Sequence, residues 1–322
     1  MDNLTHSLAG AILGQMGLKT KTGLAMPTLI IAANLPDIDV VTLFLGGHQH
    51  LALRRGLTHG PIAMVLLPVL LWAAMLAWDK WRPSEKRLPV HKGWLLALAY
   101  IGTISHPALD WLNNYGIRLL EPFSSQWFYG DSIFIIDIWI WAVLIAGVWV
   151  SLKRERGGTR NWQRPAWISF CLVCAYIFAN GAITGMSERN AFIHIIQSRS
   201  PQLFVDPNTP YSDYPELKVV ASPVQIKFWQ REILWRDEKN YGSGYIGLGL
   251  EFSLDTKGKP HGADQLTLLH VKMGATDGPS YLFWSRMPIV ERDEHGNVII
   301  RDQRFQNPFA GDRFTLKTTV KP

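Results

Sequence analysis

The chain has 322 residues, 48% of them hydrophobic and 18% charged, with a formal net charge of +6 and two cysteines. Its apolar residues concentrate before about residue 187, which argues against a uniformly soluble protein and divides the chain into a membrane half, 1–186, and a water-soluble half, 187–322. The basic excess does not signal nucleic acid: loops 79–93 and 152–166 hold ten basic and three acidic residues, enough to account for it, and no basic stripe interleaved with stacking aromatics is present.

Leu4, Leu8, Ile12 and Met16 share one side of a helix rich in Ala and Gly, and a second apolar arm runs from Leu24 to Leu35 and meets Pro36. The spacing predicts a short helical hairpin. Arms of about 12 to 16 residues reach roughly 18 to 24 Å, less than a hydrocarbon core about 30 Å thick, so the hairpin is expected to tilt into a bilayer without fully crossing it. The opening Met-Asp-Asn lacks the basic start and strongly apolar core of a secretory leader, and no cleavage is expected.

Four longer apolar runs follow, at 61–78, 94–112, 132–152 and 166–186, and predict four transmembrane helices. Of the 14 Trp residues, 11 lie between Trp72 and Trp167, often where a run meets a polar loop, as in an interfacial aromatic belt. Cys171 and Cys174 sit inside the last run and read as buried free thiols. Beyond Gly185 an amphipathic stretch around Ala191 to Gln197 gives way to alternating segments, among them Val224, Ile226, Phe228 and Tyr281, Phe283, and to a hairpin over Val290 to Ile299 with a polar turn at Asp293 to Asn297. The expected fold is an α-helical polytopic membrane domain, a short N-terminal helical hairpin plus four transmembrane helices, followed by a mostly β C-terminal domain.

Threaded this way, the ends of the apolar segments bring His6, Asp37, Asp39, His59, His106 and Asp110 to one face. Lys19, Lys21 and the two basic loops put twelve Lys and Arg at the other end, against Arg54, Arg55 and Arg118 near the six. The positive-inside bias then turns the site and the C-terminal domain to the periplasmic side of a bacterial inner membrane.

An acidic residue at the border of a span needs a partner, because an ionised carboxylate deep in lipid costs roughly 2.5 to 3.5 kcal/mol even on the gentler scale. The residue before a proline is pushed out of helical geometry, so Leu35-Pro36 should end the arm and leave Asp37-Ile38-Asp39 extended, with both carboxylates on one side. His106 and Asp110 are four apart, the spacing that stacks two side chains on one helical face, with Pro107 a possible kink between them. His59 precedes Gly60 and Pro61, and Pro61 suits a first helical turn. Mixed imidazole and carboxylate donors suit one or two divalent ions, zinc first, with manganese or magnesium as the carboxylate share rises. Such ions bring the pKa of bound water towards about 7, which makes hydrolysis the natural outcome. Around the six, Arg55 is suited to a phosphate, Asp137 to orienting a ligand imidazole, and Asp131, Asn113, Asn114 and Glu121 to completing the site; His48 and His50 fall in a solvent loop, His50 within reach of the metals. His261, His270 and His295 have no evident catalytic partners.

Taken in order, several strings resemble the YdjM-like inner-membrane metal-dependent hydrolases. They are Leu4-Thr5-His6-Ser7-Leu8-Ala9-Gly10, Leu35-Pro36-Asp37-Ile38-Asp39, Arg55-Gly56-Leu57-Thr58-His59, and the run from His106-Pro107-Ala108-Leu109-Asp110 to Gly116, followed by Leu120-Glu121-Pro122-Phe123-Ser124 and Phe134-Ile135-Ile136-Asp137. The resemblance covers about the first 140 residues. It implies a membrane-bound hydrolase with a distant likeness to zinc-dependent phospholipases C and single-strand zinc nucleases, and zinc ligands at Asp37 or Asp39, His59, His106 and Asp110. Arg54 stands where many relatives have a His, and the later His-x-x-x-Glu helix of the soluble enzymes is missing, so one or two metals are expected, not three.

The expectation is therefore a metal-dependent hydrolase of phosphoesters, small or in a lipid headgroup, with membrane lipids as surroundings. Asp37, Asp39, His59, His106 and Asp110 bind metal, His6 is a sixth ligand or a proton-transfer group, and Arg55 steadies the anionic substrate. The competing expectations are a transporter or metal-handling protein whose same ligands hold a passing cation, and a membrane anchor for a β-domain with its own binding role.

Overall fold

The computed structural model describes residues 1–46, 48–202, 205–206, 208–247, 252–261, 271–272, 277–306 and 314–318. By compactness the chain forms two units, one of Met1–Val41 with Arg55–Gly181, the other of Thr42–Arg54 with Ala182–Pro322.

The first unit is helical. Asp2 caps α1 (Asn3–Gln15), its carboxylate accepting from the Leu4 and Thr5 amides. Then come α2 (Ala25–Asn34), a 3₁₀ segment (Leu35–Leu45), α3 (Gln49–Leu53, in the second unit), α4 (Pro61–Trp81), α5 (Lys92–Trp111), α6 (Ile138–Arg156) and α7 (Arg164–Arg199). Gly60 and Pro61 open α4 as expected for a proline in the first turn. Three Lys and Arg residues close α6, where they meet the negative end of its dipole.

α2 packs between α1 and α5, α4 packs on α5, and α1 on α6. Two glycines set those distances: a Cβ on Gly10 would sit 2.7 Å from the Leu29 carbonyl, and one on Gly102 would meet Ala32 Cβ at 2.6 Å. Small residues at such contacts let helix backbones approach closely, the usual basis of packing where lipid removes the hydrophobic drive. Leu29, Ala32 and Ala33 of α2 are consequently fully buried.

Among the described residues, three helical runs are long and apolar enough to cross a membrane, 25–45, 61–81 and 164–199. The second arm of the N-terminal hairpin is thus longer than its sequence suggests, because the 3₁₀ segment carries the helical path on from Asn34 to Leu45. Helices occupy all four expected spans, although those at 94–112 and 132–152 do not join the three. α6 begins only at Ile138, and Asp137 is its N-cap, accepting from the Trp139 and Ile140 amides, so this acid stands at the end of the helix and not inside the run. Cys171 and Cys174 are free and lie on the outer face of α7 instead of being buried.

In the second unit, β1 (Lys218–Pro223), β2 (Gln230–Arg236), β3 (Asn240–Gly247) and β4 (Phe252–Leu254) form an antiparallel sheet in that order, with β5 (Lys259–Pro260) also on β3. The end of α7 covers it: Ala191, Phe192 and Ile195 pack with Val219, Ile233 and Trp235. α8 (Asp277–Trp284) follows, then a sheet of β6 (Pro288–Arg292), β7 (Val298–Asp302) and β8 (Thr315–Thr318). The hairpin expected around Asp293 is the β6–β7 connection, with Gly296 at φ 77°. Two alternating segments are not strands. Val224, Ile226 and Phe228 lie in the β1–β2 loop, and Tyr281 and Phe283 belong to α8, a short apolar stretch whose period does not separate helix from strand.

Candidate metal centre

All six acid and imidazole residues picked from the sequence are buried, none more than 8% exposed, and contacts join them into one cluster. Asp37, His59, His106 and Asp110 each offer a donor atom, and the four atoms lie within 4.8 Å of one another. The two imidazole Nε2 atoms face each other at 3.1 Å. Asp110 Oδ2 is 3.5 Å from each of them, and Asp37 Oδ1 is 3.7 Å from His106 Nε2.

The other ring nitrogen fixes the tautomer of His106 and, through Thr58, suits the same one in His59. His106 Nδ1 is 2.7 Å from the Ala33 carbonyl, which can only accept, so Nδ1 carries the proton and Nε2 a lone pair. That carbonyl is available for a reason legible in the chain: it belongs to the last turn of α2, and Pro36, three residues on, has no N–H to return to it in a 3₁₀ turn. His59 Nδ1 lies 2.9 Å from Thr58 Oγ1 and 3.6 Å from Asp39 Oδ2, while Thr58 Oγ1 donates to Asp39 Oδ2 at 3.3 Å. With both Nδ1 atoms protonated, the buried Nε2 atoms would present lone pairs to each other across 3.1 Å. A cation between them would satisfy both. Tetrahedral zinc with nitrogen ligands at about 2.0–2.1 Å separates them by about 3.3 Å, so the 3.1–3.7 Å separations are edges of the right size. The donor set fits a divalent ion.

Asp39 is not placed as the sequence suggested. Leu35 keeps right-handed helical angles, φ −61° and ψ −37°, and Leu35–Leu45 is 3₁₀ helix, not extended chain. A three-residue turn sets Asp37 and Asp39 about 120° apart, and Ile38 between them is 45% exposed. Asp37 faces the ligands, whereas Asp39 takes the Arg55 amide at 2.7 Å and holds the loop that carries His59.

Arg55 has φ 53°, an uncommon angle for a side chain larger than Gly, and its backbone is tied at both ends, by Asp39 at N and by the Arg118 amide at O. Its guanidinium is spent inside the cluster: Nε is 3.0 Å from Asp110 Oδ2, Nη1 donates to Asn113 Oδ1 and the Gly116 carbonyl, and the group sits over the Tyr115 ring. The Met1 amino group also pairs with Asp110. These cations offset the buried acids. His6 stacks on His106 with ring centroids 3.7 Å apart, and its Nε2 is 3.4 Å from Asp110 Oδ1; neither ring nitrogen has a hydrogen-bond partner.

The supporting residues divide. Asn113 touches both Arg55 and Asp110, whereas Asp137 accepts from α6 amides and from the Tyr176 hydroxyl. Asn114 and Asp131 are buried nearby in sequence, Asp131 at φ 46°. Glu121 pairs with Arg118. His48 bonds Asp277 and the Thr315 carbonyl within the second unit, so it is no solvent-loop residue, and His50 on α3 is not among the clustered donors. His261 is held by the Asp237 carbonyl, and His270 lies outside the described residues. Thr58 and the Ala33 carbonyl were not singled out from sequence. Thr58 sits in the Arg-Gly-x-Thr-His string and could have been; Pro36 marks a free carbonyl near the end of α2, but not which side chain meets it.

A model of the YdjM inner membrane protein family matches residues 1–186, more than half of the chain and the stretch that carries every clustered residue. The chain belongs to that family, and the three candidate spans agree with a membrane location. No curated protein and no solved structure matches it.

Proposed function

We propose that this YdjM-family membrane protein is a metal-dependent hydrolase of phosphoesters, with one divalent ion, zinc in the first place, held by Asp37, His59, His106 and Asp110. The observation that carries the reading is the facing pair of imidazole Nε2 atoms, 3.1 Å apart, each Nδ1 engaged with an oxygen and two carboxylates beside them. When bound, such an ion supplies Lewis acidity to a phosphoryl oxygen and activates water near neutral pH.

The chain's own residues do the rest. Ala33 and Thr58 hold the imidazoles in the ligating tautomer. Asp39 fixes the His59 loop. Arg55 keeps the Asp110 carboxylate in place and adds positive charge where an anionic substrate arrives. His6, whose ring nitrogens have no hydrogen-bond partner, receives at Nε2 the proton given up by the attacking water. We further propose that the four expected spans all cross the bilayer, and that the twelve Lys and Arg of the opposite loops orient the site to the periplasm.

The test is a panel of phosphomonoesters, phosphodiesters and phospholipids, offered to the purified protein with and without zinc. Zinc-dependent turnover that His106→Ala abolishes is the expected result. Turnover unaffected by that substitution, or metal-driven ion flux in proteoliposomes without any hydrolysis, would replace the reading with another.

A further inference from the structure

On the side of α1 and α5 next to the ligands lies a cavity of about 490 Å³, walled by α1, α5, α6 and α7. That volume falls within the roughly 300–1,000 Å³ of small-molecule sites. On α5 its lining includes Ile101, Ile104, Ser105 and Ala108, and on α1 Thr5, Ala9 and Ile12, each set a helical stripe. Successive helix residues are about 100° apart, so these stripes lie one face round from the ligands: Thr5 precedes His6, Ser105 precedes His106, and Leu109 precedes Asp110.

The cavity presents an apolar surface. Its three hydroxyls are already engaged: Thr5 Oγ1 donates to Asp2 and accepts from Trp141 Nε1, Ser105 Oγ donates to the Gly102 carbonyl, and the Tyr100 hydroxyl donates to the Val65 carbonyl. Its mouth opens on the outer surface of the helices, where Ile101 and Ile104 are 37% and 52% exposed. From Thr5 to Leu13 the groove follows α1 for about 12 Å, and from Leu109 back to Tyr100 it follows α5 for about 13 Å, close to half of a hydrocarbon core about 30 Å thick. One end is therefore beside a polar, ligand-rich cluster, and the groove's length is close to the thickness of a single leaflet. A transmembrane helix does not fit: a cylinder 10 Å wide and 12 Å long needs about 940 Å³, nearly twice the space.

We propose that this groove takes one acyl chain of a membrane phospholipid, with the phosphoester of that lipid at the ligand cluster. The substrate assignment rests on the hydrolase reading above; the acyl-chain site itself does not.

The experiment uses the full-length protein in vesicles of phosphatidylethanolamine and phosphatidylglycerol containing a trace of phospholipid with a photoreactive diazirine in its acyl chain. Crosslinks are mapped by mass spectrometry, and α4, which offers exposed apolar surface and does not line this cavity, gives the background from ordinary lipid contact. The α1 and α5 stripes should label several-fold above α4. Ala108→Trp, which fills the mouth, should bring them down to the α4 level while retaining metal, and Ala108→Ser should not. His106→Ala should keep the labelling and lose turnover. Ala108→Trp should also slow cleavage of long-chain phospholipid and spare a water-soluble aryl phosphate. Labelling equal to that of α4, or unchanged in Ala108→Trp, overturns the acyl-chain site. Selective labelling without hydrolysis of any phosphoester keeps the acyl-chain site and overturns the hydrolase.

Discussion

Thr58→Val tests how the cluster is held. Valine keeps the shape of the threonine side chain and removes its hydroxyl, so His59 Nδ1 loses its acceptor at 2.9 Å and Asp39 Oδ2 loses a donor at 3.3 Å. His59 is 1% exposed, and Asp39 Oδ2, at 3.6 Å, is too far to take over the hydrogen bond without moving. Leaving a buried polar group unsatisfied costs about 1–3 kcal/mol, and removing the group that orients a metal-bound histidine typically weakens metal binding about 10- to 100-fold. The expected result is a zinc affinity lower by about that factor, measured by competition with a chromophoric chelator on the detergent-solubilised protein, with unchanged helicity. Thr58→Ser keeps the hydroxyl and should bind as the wild type does. Affinity unaltered in Thr58→Val would refute the reasoning, because His59 would then need no fixed tautomer.

Three further outcomes follow from the packing and charges. Gly102→Val puts a branched side chain against Ala32 Cβ and the Leu29 carbonyl, at 2.6 and 2.9 Å from its Cβ, and should lower thermal stability by about 1–3 kcal/mol and release metal with it, since His106 lies one turn further along α5. Burial raises the Glu232 carboxyl to about 7 from an ordinary 4.5. The folded state therefore binds a proton that the unfolded chain has lost, and this group's contribution weakens as pH rises from about 4.5 to about 7. Glu232→Gln should slow hydrogen exchange in β1–β3 at pH 8 relative to wild type and leave it unchanged near pH 4. Asp302 is fully buried, which alone would push its carboxyl up, but Arg304, Ser285 and backbone amides overrule burial and hold it near about 2. Its contribution is present above an ordinary 3.8 and fades as pH falls through about 2, and Asp302→Ala, which strands the Arg304 charge, should cost about 3–5 kcal/mol in the second unit, read by the same exchange measurement.

What the sequence disclosed about this site came from residue type and helical spacing. His106 and Asp110 sit one turn apart on α5, and His6 and His59 stand at the ends of apolar runs, so a threading that only counts spans already brings them together. It could not disclose Asp39, because a proline ends one helical path and also suits the first turn of another, and here the chain tightens into 3₁₀ helix instead of extending. Arg55 read as a phosphate group because its positive φ, which turns the guanidinium back towards Asp110, is a property of the loop and not of the residue. Asp137 looked like an acid inside a span because nothing in its neighbours marks the residue after it as the first of α6; once it caps the helix its position is ordinary. In the second unit Tyr281 and Phe283 belong to an apolar run, Tyr281 to Trp284, too short to distinguish two periods, and the helix that carries them buries Tyr281 and Trp284.

Whether Asp37, His59, His106 and Asp110 form a metal site is decided by elemental analysis of the purified full-length protein beside His106→Ala, after equal exposure to zinc and removal of free ions. About one zinc per wild-type chain is expected, as a single tetrahedral site would hold, and almost none in the variant, with both proteins folded. Equal metal in the two, or none in the wild type, would mean that these four residues do not hold an ion.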